Sequence, residues 1–470
     1  MTQFNNHWIG KCIQNNFLNA FSLWFLLFPF DAFILPISIG FMTLYPFLIL
    51  TFLLLGSSFF IPKKLEYKAF LKWALFFFIS IALWGIVMYN FVEGKSEAKF
   101  EIRSLVMQAL CITLIFQTFR ILGSAIFFKR IFQLSIILFI GLCLIGWFEF
   151  FTGIHLQGLH TEKLLKLPAG NITYSAVFIY DNCNTFLCYL FSLTIIILIS
   201  KPEKRLRFIE VSGIIFQLLF FSIIADSRFG KIISIALFAF YTISFIDKSF
   251  IVKHINYLKA GAFILICSIG IFALNPVYWG PIWKNGKEYK LNSIQGIVDL
   301  NGKPQFILSD SLIKQYGKEK ILLAMDTFEL KGKSNSNLTR KNLLLNGAWM
   351  IQQHPITGLG PGQYSWYTKN KLIPYATGTV DSPHEGLTEL TSQYGIPFTL
   401  YFIFLIVLTF LQFIKQKKFN LFITSQWVFC IGLFWIIAAM PSAWLVLNCG
   451  WILIAVLLLS PEKEISASGN

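Results

Sequence analysis

IPFTLYFIFLIVLTFLQFIKQKK, residues 396–418, decides the fold class. No charged residue occurs between Ile396 and Ile414, and Lys415, Lys417 and Lys418 close the run. A helix rises 1.5 Å per residue, so about 20 apolar residues match the hydrocarbon thickness of a bilayer. Lysines just past such a run mark its cytoplasmic end. The stretch reads as a transmembrane helix leaving the membrane on the cytoplasmic side.

The same pattern recurs outward from this segment. Apolar runs occur at about 18–36, 40–61, 69–89, 104–119, 131–151, 173–199, 208–224, 231–246, 258–274, 396–414, 421–439 and 443–459. The expected fold is an all-α polytopic membrane protein of about twelve spans, with Pro29, Asp31 and Pro36 softening the break between the first two. Composition agrees: 56% of the residues are hydrophobic and only 13% charged, with 52 phenylalanines. A soluble domain carries about 25% charged residues.

Charge placement tests the count. Lys63–Lys64, Arg120–Lys129–Arg130, Lys201–Lys204–Arg205–Arg207, Lys248–Lys253 and Lys415–Lys417–Lys418 occupy alternate loops. Twelve spans put all five on one side, the cytoplasm, together with both termini. The net charge of +16 is thereby explained by topology and anionic headgroups, and nucleic acid is excluded as a partner. The eight cysteines lie mostly in apolar runs without metal spacing and read as small buried hydrophobes. The start of the chain, MTQFNNHWIGKCIQNN, has no signal-peptide pattern, so the first apolar run reads as a retained anchor.

The expected domain order is residues 1–274 with nine spans, an extracytoplasmic subdomain at 275–395, and residues 396–470 with three spans and a cytoplasmic tail. The middle segment is too long for a plain connection. Within it LTRKNLLLNGAWMIQQ (338–353) has helical periodicity; Asn335, Ser336 or Asn337 is placed to cap it, and Pro355 follows its end.

Three features face the outer side. Arg228 lies in ADSRFGK (225–231), a tight turn between two apolar runs, with Lys231 three residues on. Basic residues on this side run against the topological bias. An anionic ligand accounts for them, because a guanidinium grips phosphate oxygens with a planar fork; snorkelling anchors are the plain alternative. Arg340 and Lys341 are expected at the start of the 338–353 helix, where free N–H groups favour phosphate. His384, followed by Glu385 and shortly by Glu389, precedes the 396–414 span. A histidine near neutrality can take a proton from a hydroxyl nucleophile, and His384 shares a helix face with Thr388. PITGLGPGQY (355–364) is no nucleotide loop, because it follows a helical segment and no βαβ unit surrounds it. Its Gly358, Gly360 and Gly362 point to a sharp re-entrant turn with positive φ and close backbone approach.

With Arg228, Arg340, P-x-x-G-x-G-x-G and His384 in this order, the chain resembles the O-antigen ligase and polymerase superfamily over about 140–400. The family's S-R-small turn looks like Ser227–Arg228–Phe229–Gly230. Its loop helix looks like Arg340 to Ala348, and its P-[LI]-x-G-x-G turn like Pro355 to Gly360. Its histidine element aligns with His384 and Gly395, its asparagine element with Asp181 to Asn184, and its glutamate-bearing span end with GWFEFFTG (146–153). Glu385 stands where Asn is usual, and Gln393 where an acid is common.

The resemblance implies a bacterial inner-membrane enzyme acting at the periplasmic face. It would move a glycan from an undecaprenyl-diphosphate carrier onto a hydroxyl acceptor, lipid A-core for a ligase. His384 would be the catalytic base, and Arg228, Arg340 and Lys231 would hold the diphosphate. Asn184, Gly358, Gly360 and Glu385 would support the site. No Asp-x-Asp occurs on the outer side, so arginines would take the place of a metal, with no cofactor, and in-line displacement would invert the anomeric centre. Polymerase and protein O-oligosaccharyltransferase share this core. A transporter or flippase, or a non-catalytic scaffold, is the reading from another class.

Overall fold

A computed structural model describes residues 2–30, 37–39, 42–44, 46–65, 69–152, 154–155, 165–166, 183–200, 208–224, 227–245, 296–298, 304–306, 333–375, 377, 382–383, 385–415, 424–434, 436, 445 and 447–468. They form helices α1 (Thr2–Leu27), α2 (Pro46–Phe60), α3 (Ala69–Met88), α4 (Lys95–Leu122), α5 (Ser124–Thr152), α6 (Cys183–Ser200), α7 (Phe208–Ile224) and α8 (Arg228–Phe245). After them come α9 (Lys333–Gln353), α10 (Gln363–Lys369), α11 (Gly386–Tyr394), α12 (Ile396–Lys415), α13 (Thr424–Phe434) and α14 (Asn448–Ser468). Three antiparallel pairs of very short strands join the helices, Ile37–Ile39 with Met42–Leu44, Ile154–His155 with Leu165–Lys166, and Gly296–Val298 with Pro304–Phe306. The first fills the break expected around Pro36.

The chain divides into two units. The first comprises Met1–Phe245, Met350–Tyr364 and His384–Asn470; the second comprises Ile246–Trp349 and Ser365–Pro383. The segment expected as one outer subdomain, 275–395, is therefore shared between them.

In the first unit, α6 and the described part of α14 are buried on nearly every side, and α14 touches α4, α5 and α6. The helices around them are apolar on both faces. Phe52, Leu53 and Phe60 of α2, Trp73 and Phe76 of α3, and Leu400 and Phe404 of α12 point outward, exposed. In water these faces would be a liability; in lipid they are the expected solvent-facing surface. Three helices among the described residues are long and apolar enough to cross a membrane, Leu71–Phe91, Lys95–Leu122 and Ser124–Glu149. Six shorter apolar helices accompany them, including Thr185–Ser200 and Ile396–Gln412. The protein is thus a helical membrane protein. The run at about 258–274 lies outside the described residues.

Several polar side chains inside this unit bond locally, which lipid favours. Thr51, Thr118, Thr194, Ser222 and Thr409 each donate to the carbonyl four residues back. Trp24 Nε1 donates to Thr51 Oγ1 (2.9 Å), and Gln108 Nε2 to Asn448 Oδ1, linking α1 to α2 and α4 to α14.

One end of the unit collects basic loops. Lys64 and Leu65 both donate backbone N–H groups to Arg120 O (2.9 and 3.1 Å), and Arg120 Nε returns a bond to Leu65 O. Two loops that charge counting puts on one side are therefore in contact. The far ends of α3 and α4 meet through residues 89–94 at the opposite end.

The start of α4 departs from expectation. Residues 90–103 read as a loop because Glu97, Lys99, Glu101 and Arg103 depress hydropathy, yet the helix begins at Lys95. Lys, Glu and Arg are good helix formers, and this 28-residue helix outruns the bilayer.

At the α5–α6–α7 crossing Gly146 allows close approach. A Cβ there would lie 2.7 Å from Phe221 Cε1 and 3.1 Å from Phe186 Cζ. Gly146→Leu is expected to destabilise by about 1–3 kcal/mol through overpacking. Thermal unfolding in detergent checks this, with Gly56→Leu on lipid-facing α2, where no atom lies within 4 Å of the added Cβ, as the neutral control.

Candidate functional site

The glycine loop lies at the end of the first unit where α3 gives way to α4. After α9 the chain turns at Pro355–Thr357, and Gly358, Gly360 and Gly362 adopt φ of +68°, +99° and +70°. The loop docks by its backbone. Leu359 N donates to Ser392 O and Gly360 N to Gln393 O, both at 2.9 Å, while Ile396 N donates to Pro355 O at 2.8 Å. Trp84 Nε1 of α3 reaches Thr357 O (3.2 Å). A Cβ on Gly358 would lie 2.3 Å from the Gln393 carbonyl, and one on Gly362 2.4 Å from the Glu97 carbonyl carbon. Two of the three glycines are thus required by positive φ and by backbone contact together. The expected turn with positive φ is found at Gly358, Gly360 and Gly362, with close backbone approach at Gly358 and Gly362.

Behind the loop sits a residue that hydropathy gave no reason to single out. Glu101 of α4 is buried, and its two oxygens are used separately. Oε2 accepts from Gly362 N (3.0 Å), and Oε1 accepts from the Tyr394 hydroxyl (2.6 Å). Burial first, then the Glu101 carboxylate, push the Tyr394 phenol well above the usual tyrosine range, so it stays a proton donor. Buried Tyr364 lies near Glu389, and burial followed by that charge raises its pKa as well. Glu389 is itself buried in the middle of α11.

Glu385 has a definite role. Its side chain accepts from Leu387 N (3.1 Å) and Thr388 N (2.6 Å), making it the N-cap of α11. An asparagine cap has one acceptor oxygen for these N–H groups; the carboxylate serves both with separate oxygens and adds the favourable charge at the positive helix end. Departure from the family's usual Asn therefore keeps the local hydrogen bonding. His384, the residue before it, lies outside the described residues.

The ADSRFGK turn is a helix hairpin. Ser227 closes α7 by donating N–H to Ser222 O (2.9 Å), and its hydroxyl opens α8 by accepting from Gly230 N (3.1 Å). Gly230 is forced small, since a Cβ would stand 2.6 Å from Ser222 Oγ. Arg228 is the first residue of α8 and Lys231 follows within the same turn; the Arg228 side chain lies outside the described residues. The side chain of Asn184, second residue of α6, does so too. Glu149, in the element GWFEFFTG, is fully buried near the end of α5, where Trp147 Nε1 bonds Gln217 Oε1 of α7 (2.8 Å).

Arg340 requires a correction. Helix α9 starts at Lys333, so Arg340 and Lys341 sit well inside it rather than at its N-terminus, and Asn335, Ser336 and Asn337 are helical residues rather than caps. Ser, Asn and Thr, weak helix formers by propensity, nevertheless extend the helix ahead of the apolar periodicity. The helix-end argument for phosphate at Arg340 falls; its exposed guanidinium remains. In the same unit Asn346, fully buried, ties the following segment to α9: its Nδ2 donates to Tyr375 O (2.7 Å) and its Oδ1 accepts from Tyr375 N (3.1 Å). This clamp also went unread, because a lone Asn in a helix carries no sequence signal.

Residues 213–403 match the model of the O-antigen ligase family. The match runs from α7 through the Ser227 hairpin and the glycine loop into α12, inside the region where the sequence resembles that superfamily. The recognition is borne out over that span. No curated protein matches the chain.

Gly358→Ala is expected to cost at least about 2 kcal/mol, since it combines a strained φ with a backbone clash. Limited proteolysis of the purified protein, with cleavage after Lys369 or Lys371 as readout, is expected to accelerate in this variant and to stay at the wild-type rate in Gly56→Ala.

Proposed function

We propose that this protein is an O-antigen ligase-type glycosyltransferase. It takes a glycan from an undecaprenyl-diphosphate carrier and joins it to a hydroxyl of lipid A-core at the periplasmic face of the bacterial inner membrane. The observation that carries the reading is the family match over 213–403, which supports membrane glycan transfer and contains the Ser227–Arg228 hairpin, Arg340, the glycine loop and His384 in order. The glycine loop lies at the end of α3 and α4 opposite the contact between Lys64 and Arg120, which fits an outward-facing site in a twelve-span protein.

The chemistry follows from the substrates. The lipid tail belongs in the bilayer and the glycan outside it, so reaction occurs at the boundary. The leaving diphosphate develops charge that preorganised cations stabilise. Arg228, Lys231 and Arg340 are the residues assigned to it. An acceptor hydroxyl has a pKa far above 7, and His384 removes its proton as the new glycosidic bond forms. The bond from the anomeric carbon to the diphosphate oxygen breaks as the acceptor oxygen attacks from the opposite face, which inverts the centre. The proton passes to His384, and the carrier leaves as undecaprenyl diphosphate.

The glycan profile of a deletion strain tests this. Expected is loss of all capped lipopolysaccharide with long chains accumulating on the carrier, restored by the wild-type gene and not by His384→Ala. Single repeat units still attached to the core would assign a polymerase instead. An unchanged profile would overturn both and turn attention to protein glycosylation or transport.

A further inference from the structure

Glu101 stands apart from every residue assigned to the reaction, yet it joins the two segments that frame it. It lies in the second turn of α4 and is only 6% exposed. Its carboxylate accepts one bond from the glycine loop, at Gly362 N (3.0 Å), and one from the last residue of α11, at the Tyr394 hydroxyl (2.6 Å). The Gln393 side chain adjoins it as well. A carboxylate offers about four lone-pair sites on its two oxygens, enough for the Gly362, Tyr394 and Gln393 donors together.

The placement matters because α11 is short. It comprises 9 residues, capped at its N-terminus by Glu385 and fastened at its C-terminus by the Glu101–Tyr394 bond. Such a helix is about 12 Å long. Pivoting about its C-terminus by roughly 10° would move its N-terminal end by about 2 Å, and misplacements near 1 Å can cost a hundredfold in rate. His384 precedes the cap in sequence, so whatever sets the angle of α11 sets the histidine.

We infer that Glu101 is a positioning residue for the transfer reaction: bridging Gly362 and Tyr394, it fixes α11 and thereby the acceptor-activating base. This rests on the proposed role of His384. Backbone bonds (Leu359 to Ser392, Gly360 to Gln393, Ile396 to Pro355) also fasten loop to helix, and no side-chain substitution removes them. Removing the Glu101 bridge should therefore loosen the angle and leave the fold.

The experiment uses the full chain in proteoliposomes, with carrier-linked glycan and uncapped lipopolysaccharide, both extracted from the deletion strain, as substrates. Glu101→Gln keeps the shape but presents an amide nitrogen to one of its donors. It is expected to lower kcat by about 10- to 100-fold, with KM for the carrier-linked glycan within about twofold and the unfolding temperature close to wild type. Tyr394→Phe, which deletes only the hydroxyl, is expected to lower kcat in the same direction. Wild-type kcat in both variants, with His384→Ala inactive, would overturn the positioning role and leave the reaction intact. So would a loss of kcat that tracks a fall in unfolding temperature. Full activity of His384→Ala would overturn the base assignment beneath it. Where Glu101→Gln fails to fold, Tyr394→Phe decides alone.

Discussion

The glycine-loop end of the first unit depends on where a few backbone N–H groups go. Beside a bilayer an unpaired amide is costly. The glycine loop brings its backbone directly against helices, so its amides must find acceptors on whatever they touch. Those of Leu359 and Gly360 find the last carbonyls of α11, and that of Gly362 finds the Glu101 carboxylate. The same contacts meet two needs. They satisfy the loop, and they occupy carbonyls that a helix C-terminus would otherwise leave open. Loop, α11 and the outer end of α4 are consequently one fastened piece.

The rest of the first unit is arranged around that piece by ordinary membrane logic. Buried α6 and α14 form the centre, and the surrounding helices turn aromatic and aliphatic side chains outward. Basic loops meet at the other end through Lys64 and Arg120. Several hydroxyls within the helices, among them Thr118, Thr194 and Thr409, bond their own preceding turn. Such a scaffold holds a short helix rigidly at the boundary between lipid and water.

Much of this was legible in the sequence, and the failures have physical reasons. Hydropathy found the apolar helices because lipid imposes a composition on them. The glycine spacing announced a re-entrant turn because only glycine tolerates those φ values and backbone contacts. Ser227 and Gly230 were visible as a tight turn. Hydropathy misplaced the beginning of α4, since charged residues are good helix formers that an apolar scale scores as loop, and that of α9, whose first residues KSNSNLT carry neither apolar periodicity nor strong helix propensity. The error hid Glu101, which looked like one more loop charge, and put Arg340 at a helix end it does not occupy. Tyr394 and Asn346 were unreadable for another reason. Their partners, Glu101 and Tyr375, are identified by folding, not by spacing.

Amide hydrogen exchange over residues 355–364 tests the central claim most directly. If the loop is fastened through its backbone, peptides covering Leu359, Gly360 and Gly362 in the detergent-solubilised protein will exchange as slowly as those from α4, despite forming no regular secondary structure. Exchange at the rate of an unstructured peptide would contradict it.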